Sequence, residues 1–225
     1  IREMTKKKGI ILIFDEVITG FRCSPGGAQA VYDIVPDLTA MAKILSGGLP
    51  GGAVGGRKEI LDELDFKNMD QQGREKVIHL GTFNANPVSA SAGIAALKII
   101  ERTDACEKAN KSAAWLRRRF NEILEEERVS WATYGTFSGL NIFTNTKGTL
   151  INPSSFKANR IGFQELICKD KQLVTKFLQA MAVNGVDLSN GPGGKLSATH
   201  TQGDLEFTAG AFQESLRMLR SEGEI

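Results

Sequence analysis

The 225 residues are 41% hydrophobic and 24% charged, an ordinary composition for a soluble globular protein with room for one large domain or two smaller ones. A net charge of +2 gives no bulk reason to expect nucleic acid or a membrane surface as partner, and no apolar run approaches the ~20 residues that span a bilayer. The three cysteines Cys23, Cys106 and Cys168 are odd in number, far apart and without a CxxC pair, and no signal peptide is visible, so reduced thiols and a cytoplasmic setting are expected.

Lys6-Lys7-Lys8 admits two readings, a solvated helix end just before a strand and a basic tail. Ile10 to Phe14 is a continuous apolar run without alternation. That pattern predicts a strand covered on both faces, as in a parallel sheet with helices above and below. Asp15 closes the run, at the carboxyl end where ligands of such sheets bind and where a poorly solvated charge needs a partner. The chain turns at Gly20, and Gly26-Gly27 precede a short helical stretch, Ala28 to Asp33. Val35-Pro36-Asp37 is a turn feeding a second strand, Leu38 to Ala42, which ends on Lys43. Two strand ends thus deliver Asp15 and Lys43 toward one site.

Ser46 to Gly56 contains six glycines, which suit close backbone approach to a cofactor or a partner chain, or simply a tight loop. They show neither the dinucleotide fingerprint nor the GxxxxGK[ST] phosphate loop. Arg57 to Asp65 reads as a helix, Asn68 to Lys76 as a polar loop and Val77 to Leu80 as a short strand. Gly81-Thr82 then place a backbone N–H and a hydroxyl just ahead of a helix, an arrangement suited to an anion. That helix opens on Asn86-Pro87, an N-cap followed by proline at the first position, and runs through Ala90, Ile94, Leu97 and Ile100.

Residues 103–127 read as one long helix carrying Leu116, Phe120, Ile123 and Leu124, with Arg117 to Arg119 on its wet face. Short strands follow at Val129 to Tyr134 and Leu140 to Thr144, then a helix at Gln172 to Val183. Pro153 to Ala158 and Gly191 to Gly194 are expected loops. A final helix, Leu205 to Leu219, sets Phe207, Phe212, Leu216 and Leu219 on one side. This half reads as a smaller α+β domain. His79 and His200 have no metal-ligand spacing, so no metal is expected, and His200 is assigned a structural hydrogen bond. No GxSxG elbow occurs.

A neutral lysine amine forms a Schiff base with a carbonyl, and an acid beside it is the protein's usual contribution to pyridoxal phosphate chemistry, holding the pyridine nitrogen protonated. Leu12-Ile-Phe-Asp-Glu-Val-Ile-Thr-Gly-Phe-Arg22, Pro36-Asp-Leu-Thr39, Ala42-Lys43, Gly47-Gly-Leu-Pro-Gly-Gly-Ala-Val-Gly-Gly56 and Gly81-Thr-Phe-Asn-Ala-Asn-Pro87 together resemble a class III, fold-type I pyridoxal-phosphate enzyme. Within that class the likeness is to glutamate-1-semialdehyde aminomutase and its aminotransferase relatives. It continues at Ser138-Gly-Leu-Asn-Ile-Phe-Thr144, Gly185-Val-Asp-Leu-Ser189 and Leu196-Ser-Ala-Thr-His-Thr201.

The resemblance implies an α/β fold: residues 1–102 as the C-terminal part of the large cofactor-binding domain, with a mainly parallel sheet, and residues 103–225 as a linking helix and a small α+β C-terminal domain. It implies that Lys43 holds pyridoxal 5'-phosphate as a Schiff base and shuttles protons. Asp15 would meet the pyridine nitrogen, Val17 would pack on one face of the ring, and Gly81 and Thr82 would bind the phosphate, usually that held by a partner subunit. The implied substrates are small amino compounds and keto or aldehyde compounds, and the implied assembly is a homodimer with a shared site. Transamination and intramolecular amino transfer both remain open. The resemblance starts in mid-domain, so the half that normally supplies the phosphate-cradling loop and the ring-stacking aromatic residue is expected to lie outside these residues. A non-catalytic fragment is therefore a third reading.

Overall fold

The structure is a computed structural model describing residues 1–65, 67, 71–75, 77–188 and 191–225. The chain divides into two compact units, Ile1–Cys106 and Glu107–Ile225. The division falls a few residues past the expected 102/103 boundary, within the first turn of the helix Ala105–Glu126.

The first unit runs α1 (Arg2–Lys7), β1 (Ile13–Asp15), α2 (Gly27–Val31), β2 (Leu38–Ala42), β3 (Gly52–Gly56), α3 (Lys58–Leu61) and α4 (Pro87–Arg102), with 3-10 turns at Lys43–Ser46 and Asp62–Leu64. β1 and β2 are parallel, Ile13 facing Leu38 and Asp15 facing Ala40, and β3 returns antiparallel, Ala42 facing Gly52. The sheet is therefore mixed over the described residues, not mainly parallel. The connection 43–51 is shorter than the dozen or so residues that a parallel crossover needs. At the entry end of the sheet, the buried Asp37 carboxylate accepts from Arg2 at 2.8 Å, Leu12 N–H at 2.8 Å and Arg57 at 3.1 Å, tying α1, the residue before β1 and the residue after β3 to one point. The guanidinium of Arg2, then the Leu12 N–H, hold that carboxyl well below the usual aspartate range.

Two expectations in this unit fail for one reason. Ile10, Ile11 and Ile13 are 53%, 51% and 58% exposed, and only Ile13 to Asp15 form a strand, so Ile10 to Phe14 is not covered on both faces. β1 lies at an edge of its sheet, and the apolar run outlasts the ladder available to it. Val77 to Leu80 is likewise exposed and forms no strand. The helix expected over Arg57 to Asp65 is α3 followed by its 3-10 turn. Of the loop expected at Asn68 to Lys76, residues 68–70 and 76 lie outside the described residues. Asn86 caps α4 as expected, its Oδ1 accepting from Val88 N–H at 3.0 Å and Ser89 N–H at 3.1 Å, with Pro87 in the first position.

The second unit contains α5 (Ala105–Glu126, whose first two residues belong to the first unit), β4 (Ala132–Tyr134), β5 (Gly139–Phe143), α6 (Phe163–Leu166), α7 (Lys171–Val183), β6 (Gly193–Lys195) and α8 (Gln202–Ser221). β4, β5 and β6 form an antiparallel sheet in that order. Its core gathers Leu116, Phe120, Ile123 and Leu124 of α5 with Trp131, Leu140, Phe177, Met181, Phe212 and Leu216. Phe120 stacks on Phe212 at 3.9 Å between ring centroids, and Trp131 meets Phe177 edge-on at 5.5 Å.

Three expectations are corrected here. β6 replaces part of the loop expected at Gly191 to Gly194. Glycines carry no period-2 pattern, yet a Cβ on Gly193 would sit 2.3 Å from the Leu140 carbonyl oxygen, so the strand is possible only with glycine there. Phe207 is 60% exposed, because the buried face of α8 is Leu205, Ala209, Phe212, Leu216 and Leu219, a 4-3-4-3 stagger that excludes residue 207. Arg117 is not on the wet face of α5: its guanidinium donates to the carbonyls of Phe137, at 3.0 Å, and Gly139, and burial pushes its pKa down. His200 Nδ1 accepts from Ser197 N–H at 3.0 Å, just before Thr201 and Asp204 close a capping box on α8. Among the described residues no helix is long and apolar enough to cross a membrane.

Candidate active site

The first unit brings Asp15 and Lys43 to the same edge of the sheet. β1 and β2 run parallel, Asp15 is the last residue of β1, and Lys43 is the first residue beyond β2. Both therefore stand at carboxyl strand ends, on neighbouring strands. Asp15 faces Ala40 across the ladder, which puts Lys43 three residues further on, roughly 10 Å along the strand direction. The Glu16 N–H donates to the Ala40 carbonyl at 2.9 Å and so carries the pairing past Asp15.

Asp15 is exposed, and its Oδ1 accepts from Val17 N–H at 3.0 Å. That bond folds Val17, half-buried, back over the strand end. Lys43 is also exposed, so the poorly solvated charge expected of Asp15 at its strand end is not met at either position: β1 and β2 end at an open side of this unit. Lys43 adopts φ +55°, in the left-handed region that non-glycine residues seldom enter, and opens the tight turn Lys43–Ser46. Such backbone settings cost on the order of 1–3 kcal/mol and gather at functional positions.

What holds this turn is close packing against α4. Gly47 has φ +60°, and a Cβ there would lie 2.4 Å from the Ala92 carbonyl oxygen. A Cβ on Gly93 would lie 2.4 Å from the Leu45 carbonyl oxygen. Both backbones approach more closely than a side chain allows, which assigns these two members of the glycine-rich stretch and of α4 a steric task.

Gly81 and Thr82 are exposed and lie in the segment leading to α4, where the Gly81 carbonyl accepts from Asn84 N–H at 3.0 Å. Thr82 stands ahead of Asn86 and does not cap the helix, so its hydroxyl is spared that task. A cleft of about 530 Å³ runs between the glycine-rich stretch (Leu45, Ser46, Gly51, Gly52) and the lead-in to α4 (His79, Phe83, Asn84, Asn86). Lys43 and Thr82 are not among its lining residues, although Leu45, two residues past Lys43, and Phe83, next to Thr82, are. The structure thus sets Asp15, Val17 and Lys43 at the carboxyl ends of β1 and β2, and Gly81 and Thr82 on a separate segment.

Glu16 was missed by sequence reasoning. It is 1% exposed, and it accepts from the N–H groups of Ala28 and Gln29 at 3.0 and 2.8 Å and from the Thr19 hydroxyl. The available signal was the doubled acid Asp15-Glu16 followed by glycines, but nothing in composition says which acid turns inward. Cys23 and Cys106 have their thiol pKa values pushed up, first of all by burial, which makes them poor nucleophiles.

Comparison with known proteins bears on this arrangement. The family model for aminotransferase class III matches residues 1–188. Glutamate-1-semialdehyde 2,1-aminomutase of Methanosarcina acetivorans is 36% identical over 218 residues, covering 96% of this chain and 47% of the relative. The protein of that name from Methanococcoides burtonii is 33% identical, again over 96% of this chain and 47% of its own length. Among solved structures, an omega-transaminase from Sphaerobacter thermophilus is 32% identical with a TM-score of 0.76, covering 97% of this chain and 47% of that one. A transaminase with pyridoxal phosphate bound superposes with a TM-score of 0.80 at 25% identity, covering 100% of this chain and 48% of that one. The chain spans about half the length of the proteins it matches, and its fold is that of fold-type I transaminases.

Proposed function

The chain belongs to the class III aminotransferase family, and from that premise we propose that it carries the acid-and-lysine part of a pyridoxal-phosphate site in an enzyme that transfers amino groups. The observation that carries this reading is the placement of Asp15 and Lys43 at the carboxyl ends of two adjacent parallel strands. The donor set suits the group. An exposed carboxylate can meet a protonated ring nitrogen, and an exposed primary amine can bond a carbonyl carbon. Pyridoxal phosphate, when bound, supplies an electron sink for charge left on the substrate carbon.

The chain's own residues divide the remaining work. Asp15 keeps a proton on the ring nitrogen by charge and hydrogen bonding. Lys43 would hold the cofactor through its Nζ, and the same primary amine is the group placed to take and return a proton at the substrate carbon bearing nitrogen. Val17 would pack against the cofactor ring. The Gly81 N–H and Thr82 hydroxyl bind phosphate, and their place on a segment apart from the Asp15–Lys43 edge fits a site completed by a second copy of the chain. The substrates are a small amine and a small keto or aldehyde compound.

A second reading, amino transfer within one molecule, is favoured by the aminomutase relatives at 33–36% identity. Product analysis separates the readings. The loaded protein is given an amino donor with a keto acceptor, and separately an amino aldehyde. Release of the deaminated donor marks transamination, and an isomer of unchanged mass marks intramolecular transfer. Neither product would leave a non-catalytic chain.

A further inference from the structure

A carboxylate withdrawn from water is costly unless its lone pairs are used. Glu16 uses them on its own loop. Oε2 accepts from Ala28 N–H at 3.0 Å and from the Thr19 hydroxyl, and Oε1 accepts from Gln29 N–H at 2.8 Å. Its main chain is tied as well, the N–H to the Ala40 carbonyl at 2.9 Å and the carbonyl to Gly20 N–H at 2.8 Å. Two glycines exist to make room for it. A Cβ on Gly20 would lie 2.7 Å from the Glu16 carbonyl oxygen, and one on Gly27, which has φ +70°, would lie 2.7 Å from Oε1. The segment 16–29 is therefore wrapped around one buried side chain.

Strand alternation turns Glu16 inward and Asp15 outward. The residue on the other side, Val17, donates its N–H to Asp15 Oδ1 at 3.0 Å. Whatever fixes the path of the chain after Glu16 also fixes that donor, and the donor fixes the carboxylate. We propose that Glu16 is a positioning residue: it anchors the 16–29 loop so that Val17 holds the Asp15 carboxylate in the orientation that meets the cofactor nitrogen. This inference rests on the reading of Asp15 given above.

The test compares the parent protein with Glu16→Gln, which sets a side-chain NH₂ against backbone N–H donors, and with Asp15→Asn and the double variant. Amide hydrogen exchange without cofactor is read at Ala28, Gln29 and Val17. The control is Arg57, whose N–H donates to the Asp37 carbonyl at 2.9 Å at the far end of the sheet. In Glu16→Gln, exchange is expected to rise about tenfold or more at Ala28, Gln29 and Val17, with Arg57 unchanged. Pyridoxal phosphate is expected to bind about tenfold more weakly, and the double variant to be no weaker than Asp15→Asn alone, since the two residues act as one unit. An unchanged Val17 amide, or losses that add in the double variant, would overturn the proposal and leave Glu16 a loop anchor only. If Asp15→Asn binds the cofactor as tightly as the parent, the reading of Asp15 falls, whereas the exchange at Val17 still decides what Glu16 does to it. Should Arg57 lose protection in Glu16→Gln, Gly27→Ala, which displaces the carboxylate while keeping it, is scored by the same two criteria.

Discussion

Gly47→Ala offers a quantitative test of how the Lys43 turn is held. Two penalties act with the same sign. An L-residue at φ +60° costs about 1–2 kcal/mol, and the added methyl would lie 2.4 Å from the Ala92 carbonyl oxygen, an overpacking that typically costs about 1–3 kcal/mol. Together they amount to about 2–5 kcal/mol, a large part of the ~5–15 kcal/mol that separates a folded domain from its unfolded chain. Gly48 is the built-in control. It has φ +92°, and a Cβ there meets nothing within 4 Å, so Gly48→Ala carries the backbone penalty without the clash. Both tryptophans, Trp115 and Trp131, belong to the second unit, so their fluorescence does not report this change. Cys23, buried in the first unit, does. Pulsed thiol labelling of Cys23 across a guanidinium titration is expected to show Gly47→Ala opening at clearly lower denaturant than Gly48→Ala, with the tryptophan transition close to that of the parent. Equal shifts for the two alanine variants would refute the claim that close packing on α4 holds the turn.

Three further outcomes follow from the same structure. Glu127 has its pKa lowered from 4.5 to about 2, chiefly by Arg220 and then by Gln213 and Arg217; because the folded value is the lower one, its contribution to stability is present above pH 4.5 and is lost as pH falls toward about 2. Tryptophan-monitored unfolding should show that acid-side loss in the parent and a flatter profile in Glu127→Gln; identical profiles would count against the triple contact. Phe120→Ala should cost the second unit about 3–5 kcal/mol, since that ring is fully buried and stacked on Phe212 at 3.9 Å, and a loss below 1 kcal/mol in the same titration would contradict the packing. Thr201→Ala, which removes the N-cap of α8, should cost about 1 kcal/mol, with Thr201→Ser restoring most of it.

Much of this was legible in residue patterns because the deciding physics is local. The acid and the lysine stand where two apolar runs stop, and Asn86-Pro87 announces a helix start by capping chemistry alone. The face carrying Leu116, Phe120, Ile123 and Leu124 repeats at helical spacing, so its burial could be read in advance. The misreadings arise where a distant partner decides. Ile10, Ile11 and Val77 to Leu80 have the composition of covered strands but join no ladder among the described residues. β6 is written in glycine, which gives no alternation, and owes its place to close approach against Leu140. Arg117 sits among charged neighbours yet turns to carbonyls beyond β4, and Glu16 is buried by a loop that closes around it only in three dimensions.

The central claim is that Lys43 is the lysine that holds pyridoxal phosphate. The most direct measurement is to incubate the protein with the cofactor, reduce with borohydride, digest, and locate the phosphopyridoxyl group by peptide mass mapping. The account predicts an adduct on Lys43 that disappears in Lys43→Ala while the tryptophan unfolding transition is unchanged. A stoichiometric adduct on another lysine, or one that survives in Lys43→Ala, would contradict it.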